Sequence, residues 1–450
     1  MNRLISQIAP RMLGYKLSYR GVRSTPAPIN LTLSVTNKCN SRCRSCDIWK
    51  IYPAEKSRLA DELTLDEIEK VFKSVGPVYF FNISGGEPFL RSDLPKIVAA
   101  GCRFLSPSVV HIPTNALMPD RIEAMTVEIL EWMKVHAPGV KLTLKPSMDG
   151  VGEDHDWVRG VAGNYEKLIE TVGRLGALRA DYPNLKLGVG TVISTMNIHK
   201  LPKIINAAMA LDVDTYISEI AEERAEMRNV DSDITPPHEA YTRAIDPFKK
   251  ATRQRLEEAS GLELLTQAMR VVYYDVTTRW LQERRQVLPC YAGISNVHIS
   301  PYGEIWPCAI LGDSMSLGNV KEAGLDFWKL WHGERAAQVR ASIKRRECDC
   351  PLANQNYANI LLSPSAMSQV STEILSSKLR KVTRFFGRRQ ARADNFSVNQ
   401  VLRRQPAQTH PFDLEAANGG RRPKGVKYKY RPKTLSTESP TMGGTTQVGQ

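Results

Sequence analysis

The sequence predicts an α/β protein: a parallel sheet curled into a partial (β/α)6 barrel of the TIM type, then a small cysteine-bearing C-terminal domain and a disordered basic tail. Three observations carry this expectation. Six short β-type runs alternate with segments of helical apolar spacing between residues 29 and 235. Polar residues collect at the C-terminal ends of those runs, where barrels of this kind keep their chemistry. Seven of the eight cysteines fall into two groups, one near each end of the ordered region.

The elements follow in order. Residues 1–28 are a basic, weakly amphipathic lead-in that stops at Pro26 and Pro28. The first strand is the alternating run Leu31 to Val35, and further strands are expected over 78–83, 109–112, 142–145, 187–193 and 215–217. Helical spacing is read over 64–75, 120–135, 165–178 and 199–210, the first opened by Thr64 with Glu67 three residues on, a capping-box pair. Strands and helices in strict alternation require right-handed crossovers between parallel strands. Residues 236–286 read as a helical connector, and 287–362 as the second domain, with a hairpin over 297–306 turning at Tyr302 and Gly303. The tail is placed at 378–450.

Charge is distributed unevenly. The formal net charge is +14, yet 16 Lys and Arg against three acids lie between Lys378 and Lys433, so the catalytic body is close to neutral. No run approaches the roughly 18 apolar residues of a membrane span, and the N-terminus lacks a secretory pattern, so a cytoplasmic location is expected. In such a compartment clustered cysteines favour metal or iron–sulfur ligation over disulfides. Cys102 stands alone on an expected helix and reads as a buried structural thiol.

Cys39, Cys43 and Cys46 form a C-x3-C-x2-C loop directly after the first strand. Three thiolates can hold three irons of a [4Fe–4S] cluster and leave the fourth open to a small molecule and one-electron chemistry. Structural zinc wants four ligands and finds no fourth nearby. At the end of the second strand stands Ser84-Gly85-Gly86-Glu87-Pro88, whose glycines allow a close backbone approach. Thr143, Lys145, Ser147 and Asp149 share one face of the fourth strand and its extension by the period-two rule. Asn115 lies at the third strand end. For residues 153–160 a helix cap with local ion pairs is favoured over substrate contact, and for Glu219, Glu222 and Glu223 a solvated helix face.

The cysteine loop and the Gly-Gly-Glu-Pro strand end together resemble the radical S-adenosylmethionine superfamily. That resemblance implies a [4Fe–4S] cluster on Cys39, Cys43 and Cys46, with S-adenosylmethionine bound at its open iron. Gly85, Gly86, Glu87 and Pro88 would meet the methionine amino group, with Asn115 and Ser147 as further cofactor contacts. Reductive cleavage would then give a 5′-deoxyadenosyl radical that abstracts hydrogen from the substrate. Where the family usually has an aromatic before the third cysteine, this chain has Ser45; Trp49 is the nearest substitute.

Cys290-x-Ala292-Gly293, Pro307-Cys308 and Cys348-Asp349-Cys350 resemble the SPASM or shorter twitch auxiliary-cluster domain. Cys290, Cys308, Cys348 and Cys350 would hold a second [4Fe–4S] cluster, with structural zinc as the alternative. The implied partners are an electron donor such as a flavodoxin or ferredoxin and a peptide or small-molecule substrate. The basic tail allows a peripheral membrane contact, with nucleic acid less favoured. The competing function is a non-catalytic iron–sulfur or zinc scaffold that recruits such a partner through its tail; the Gly85–Pro88 strand end argues against it.

Overall fold

A computed structural model describes the backbone of residues 2–395 and the side chains of 10–381. Six parallel strands, β1 (Asn30–Ser34), β2 (Phe80–Ser84), β3 (Val109–Thr114), β4 (Lys141–Pro146), β5 (Leu185–Ile193) and β6 (Thr215–Ile220), lie side by side in sequence order. Each crossover carries at least one helix: Leu65–Val75, Leu94–Ala100, Pro119–His136, Asn164–Leu178 and Leu201–Ala210. The helix Leu65–Val75 is opened by the capping box, Thr64 accepting from the Glu67 amide and the Glu67 carboxylate accepting from the Thr64 amide. Its face of Ile68, Val71, Phe72 and Val75 is buried at the four-and-three spacing that covers a sheet. The expected partial (β/α)6 barrel is therefore present.

The sheet does not stop at β1. The hairpin assigned to a separate second domain supplies β7 (Asn296–Ile299), which pairs in parallel with β1 from Asn30↔Asn296 to Leu33↔Ile299. Its antiparallel partner β8 (Ile305–Trp306) closes the order β6-β5-β4-β3-β2-β1-β7-β8. An uncovered β1 would leave a row of unpaired backbone groups, and all four residues of β7 are buried. The turn forms as expected, with Gly303 at φ +94° and its amide donating to Ser300 O at 3.1 Å.

The connector consists of helices His238–Glu258 and Gly261–Glu283, packed with the C-terminal helix Pro364–Asn395. That helix corrects the tail boundary, since it runs through residues 378–395. Ala366 and Val370 are buried at four-residue spacing, with Ile374 packed on the same core. Ser377 is buried too, and Arg380 Nε donates to Glu257 at 3.2 Å. The rest of the expected tail, 396–450, lies outside the described residues. The lead-in is likewise a helix, Asn2–Arg20, anchored by buried Tyr15, whose hydroxyl donates to Ala27 O at 2.7 Å. Cys102 is buried in a π-helical turn, Gly101–Leu105, that extends the helix Leu94–Ala100. Among the described residues no helix is long and apolar enough to cross a membrane.

Candidate active site

The loop carrying Cys39, Cys43 and Cys46 leaves the C-terminal end of β1 and packs against the end of β2. The Gly86 amide donates to Thr36 O at 2.7 Å and the Glu87 amide to Lys38 O at 2.8 Å. A Cβ on Gly85, at φ +116°, would lie 2.2 Å from Thr36 O, and one on Gly86 2.4 Å from Lys38 O. The close approach that requires both glycines is thus to the cysteine loop itself.

Glu87 turns its carboxylate inward. It is fully buried and accepts from Thr114 Oγ1 at 2.9 Å, the Asn115 amide at 2.7 Å and the Phe89 amide at 3.2 Å. Burial pushes its pKa up to about 7 despite these donors. The side chain thus ties the end of β3 to the end of β2. Pro88 opens a buried 3-10 turn, Pro88–Leu90. Asn115, held by Glu87, directs Nδ2 to Asn40 Oδ1 at 2.8 Å and towards Cys39 Sγ at 3.8 Å. Ser147 extends β4, its amide donating to Thr114 O at 3.0 Å, and forms a bridge with Gly190. Gly85–Pro88, Asn115 and Ser147 therefore share one rim with the cysteines.

Residues 153–160 do more than cap a helix. Arg159 pairs with Asp149 at 2.7 Å and points Nη1 towards Cys43 Sγ at 3.7 Å. Its carbonyl accepts from the Arg42 amide at 3.1 Å and from Ser41 Oγ at 3.0 Å, and Val158 O accepts from the Arg44 amide at 2.9 Å. Gly160, at φ +67°, leaves no room for a side chain, because a Cβ would meet Arg42 O at 2.1 Å. Burial alone would depress Arg159, but Asp149 and Cys43 beside it hold it protonated. The Asp149 position on the polar face of β4 was the available signal; its pairing with Arg159 was not legible.

The loop after β6 is also not a solvated helix face. Glu222 is buried and pairs with Arg224 at 2.7 Å, and Glu219 meets Lys145 at 3.3 Å. Burial alone would raise Glu219, yet Lys145 brings it below its ordinary value. The Asp47 amide donates to Met227 O at 2.9 Å and Asn229 Nδ2 to Ser45 O at 2.8 Å, fastening this loop to the cysteines. Trp49 instead faces two cations, with Lys50 at 5.2 Å and Arg42 at 6.0 Å from its ring.

Inside the sheet these elements line a partly open cavity of about 150 Å³, bordered among others by Asn82, His111, Lys145, Glu219, Glu226 and His298, and reaching Cys308. Burial keeps both imidazoles neutral, His298 being lowered to about 3. His298 Nε2 pairs with Ser34 Oγ at 2.8 Å.

Cys290, Cys348 and Cys350 line one cavity beyond the β7 hairpin, and Cys308 packs with Cys350 on one apolar cluster. Burial pushes each of the four thiols up, and Cys290 and Cys308 add to the rise at Cys348 and Cys350. In the first group burial pushes Cys39 up to about 12, and Cys39 and Cys43 add to the rise at Cys46. Bound metal reverses this, since a coordinating thiol is deprotonated. Among the described residues no group of three His, Cys, Asp or Glu side chains is gathered on one point. An iron–sulfur cube takes one thiolate per iron, and thiolates are the donors both cysteine groups supply.

Comparison with known proteins agrees. Residues 33–208 match the Radical SAM superfamily, and residues 290–351, bounded by the second cysteine group, match SPASM, an iron–sulfur cluster-binding domain. The antilisterial bacteriocin subtilosin biosynthesis protein AlbA of Bacillus subtilis is 22% identical over 326 residues, 71% of this chain. The chain spans 63% of AlbA's length. The PqqA peptide cyclase of Xanthomonas campestris pv. campestris is 26% identical over 332 residues, 71% of this chain and 77% of that protein. Streptococcus suis SuiB, solved with its precursor peptide SuiA, shares the fold with a TM-score of 0.50 at 18% identity, over 74% of this chain and 71% of that one. With its barrel and both cysteine groups accounted for, the chain carries a radical SAM superfamily domain over residues 33–208 and a C-terminal SPASM iron–sulfur cluster-binding domain over residues 290–351.

Proposed function

We propose that this enzyme modifies a peptide, one side chain of which enters the lumen cavity. The observation that carries this reading is the cavity itself. At about 150 Å³ it has the size that holds one benzene-sized group, which suits a single side chain on a larger substrate. Its neutral imidazoles, its Asn82 amide and its Lys145–Glu219 pair favour a polar side chain over a purely aliphatic one. PqqA peptide cyclase carries a peptide in its name, SuiB is solved with its precursor peptide, and AlbA serves bacteriocin biosynthesis, which supports the same class.

In this reading Cys39, Cys43 and Cys46 hold the first cluster, and Cys290, Cys308, Cys348 and Cys350 hold the second. Bound there, a [4Fe–4S] cluster and S-adenosylmethionine would supply one-electron reductive chemistry directed at hydrogen abstraction from the substrate. The protein's part is positional. Arg159 and Ser41 brace Cys43, Asn115 stands beside Cys39, and Glu87 sets Asn115. Gly85, Gly86 and Pro88 offer backbone at the rim, with Asn115 and Ser147, to the cofactor.

The test is anaerobic reconstitution, iron and sulfide counting, and detection of 5′-deoxyadenosine with dithionite as reductant. Cleavage is expected in the native protein and lost in Cys43→Ala. A protein with its full iron complement that neither binds nor cleaves S-adenosylmethionine would overturn the proposal.

A further inference from the structure

A closed ring of hydrogen bonds joins the root of the first cysteine loop to the hairpin that carries β7 and β8, across 265 residues of chain. Asn37 stands two residues before Cys39. Its Nδ2 donates to Tyr302 Oη at 3.0 Å, Tyr302 Oη donates to Tyr52 Oη at 3.3 Å, and Tyr52 Oη donates to the Glu62 carboxylate. The same carboxylate oxygen accepts from the Asn37 amide at 3.1 Å, so the ring ends on the residue where it began. Burial and the Glu62 carboxylate push the Tyr52 phenol up, which keeps on it the proton it donates. Each hydroxyl both accepts and donates, and bonds arranged in this way polarise one another.

The place of Asn37 gives the ring its leverage. The carbonyls on either side of it, Thr36 O and Lys38 O, receive the Gly86 and Glu87 amides at 2.7 and 2.8 Å. The Gly85–Pro88 strand end thus holds those two carbonyls, and the ring holds the residue between them. Tyr302 is delivered by a hairpin tip docked on the segment that supplies Glu62. There the Leu63 amide donates to Pro301 O at 2.7 Å, and Lys321 Nζ donates to Asp61 O at 2.9 Å.

Resting on the reading that Cys39, Cys43 and Cys46 hold a cluster, we propose that Tyr302 is a positioning residue for that cluster. Through its hydroxyl the second cysteine domain completes the first site, fixing Asn37 and with it the start of the cysteine loop. Groups that orient metal ligands without touching the metal change affinity or activity by about 10- to 100-fold when removed. A hairpin tip that merely packs on residues 61–63 would give Tyr302 no more influence than Lys321.

Tyr302→Phe removes the hydroxyl and keeps the aromatic ring beneath Arg58, 4.5 Å away. The reconstituted variant, titrated anaerobically with S-adenosylmethionine and followed by electron paramagnetic resonance of the reduced cluster, should bind about tenfold more weakly than the parent. Amide exchange over residues 37–46 of the cluster-free protein should quicken by about the same factor. Lys321→Gln, which loses a hairpin contact without touching Asn37, should match the parent in both measurements. Asn37→Ala combined with Tyr302→Phe should bind no more weakly than Asn37→Ala alone, because both changes open one ring. Unchanged binding in Tyr302→Phe would overturn the proposal, as would an equal loss in Lys321→Gln or fully additive losses in the double variant. Should Tyr302→Phe fail to fold, Tyr52→Phe opens the ring at the next hydroxyl and gives the same comparison. A parent protein whose resonance does not respond to S-adenosylmethionine would instead sink the cluster reading, so the two failures are separable.

Discussion

Replacing Glu87 by glutamine tests whether this side chain turns inward to hold the site together. The carboxyl is fully buried beneath Thr114, Asn115 and Phe89, and burial raises it from 4.5 to about 7. In the unfolded chain it titrates near its ordinary value. Between these two pH values the folded protein keeps a proton that the unfolded chain has released. Stability therefore decreases as pH rises through the window, by a factor of ten in the folding equilibrium per pH unit. Across the window this amounts to about 3 kcal/mol, lost fully above the folded-state pKa and regained below the unfolded one. Glutamine cannot titrate, so comparison with Glu87→Gln cancels the contribution of every other group. Urea unfolding of the cluster-free protein and the variant from about pH 4 to about pH 8, a range that spans both pKa values, gives the difference directly. The variant should gain on the parent by about 3 kcal/mol from low to neutral pH and then level off. A difference that stays constant over the range would refute the burial argument and return Glu87 to the solvent-facing rim.

Other consequences follow from the brace around the cysteine loop. Gly160→Ala forces a side chain into a left-handed backbone against the Arg42 carbonyl, costing roughly 1–3 kcal/mol in strain; iron content after reconstitution should fall, and full loading would contradict the packing. Asp149→Ala leaves the buried Arg159 cation without its carboxylate, a loss of about 3–5 kcal/mol that chemical denaturation should register. Cys348→Ala should lower total iron while leaving the Cys39–Cys46 cluster in place, as read by electron paramagnetic resonance of the reduced protein.

The sequence by itself determined the chemistry at the start of the reaction. Spacing within a few residues is local information, so the C-x3-C-x2-C loop, the Gly85–Pro88 strand end and the alternation of six strands with helices were all legible. What tertiary structure decided were contacts between segments far apart in the chain. β7 covers β1 across some 265 residues, because an open sheet edge must find a partner and nothing local says which. Glu87 faces inward because Thr114 and Asn115 arrive from β3 with donors that a buried carboxylate needs. Asp149 and Arg159 meet beside Cys43, and the loop of Glu222, Arg224 and Glu226 folds over the lumen instead of into solvent. A buried polar group is identified by what surrounds it, and that exists only after the chain has folded.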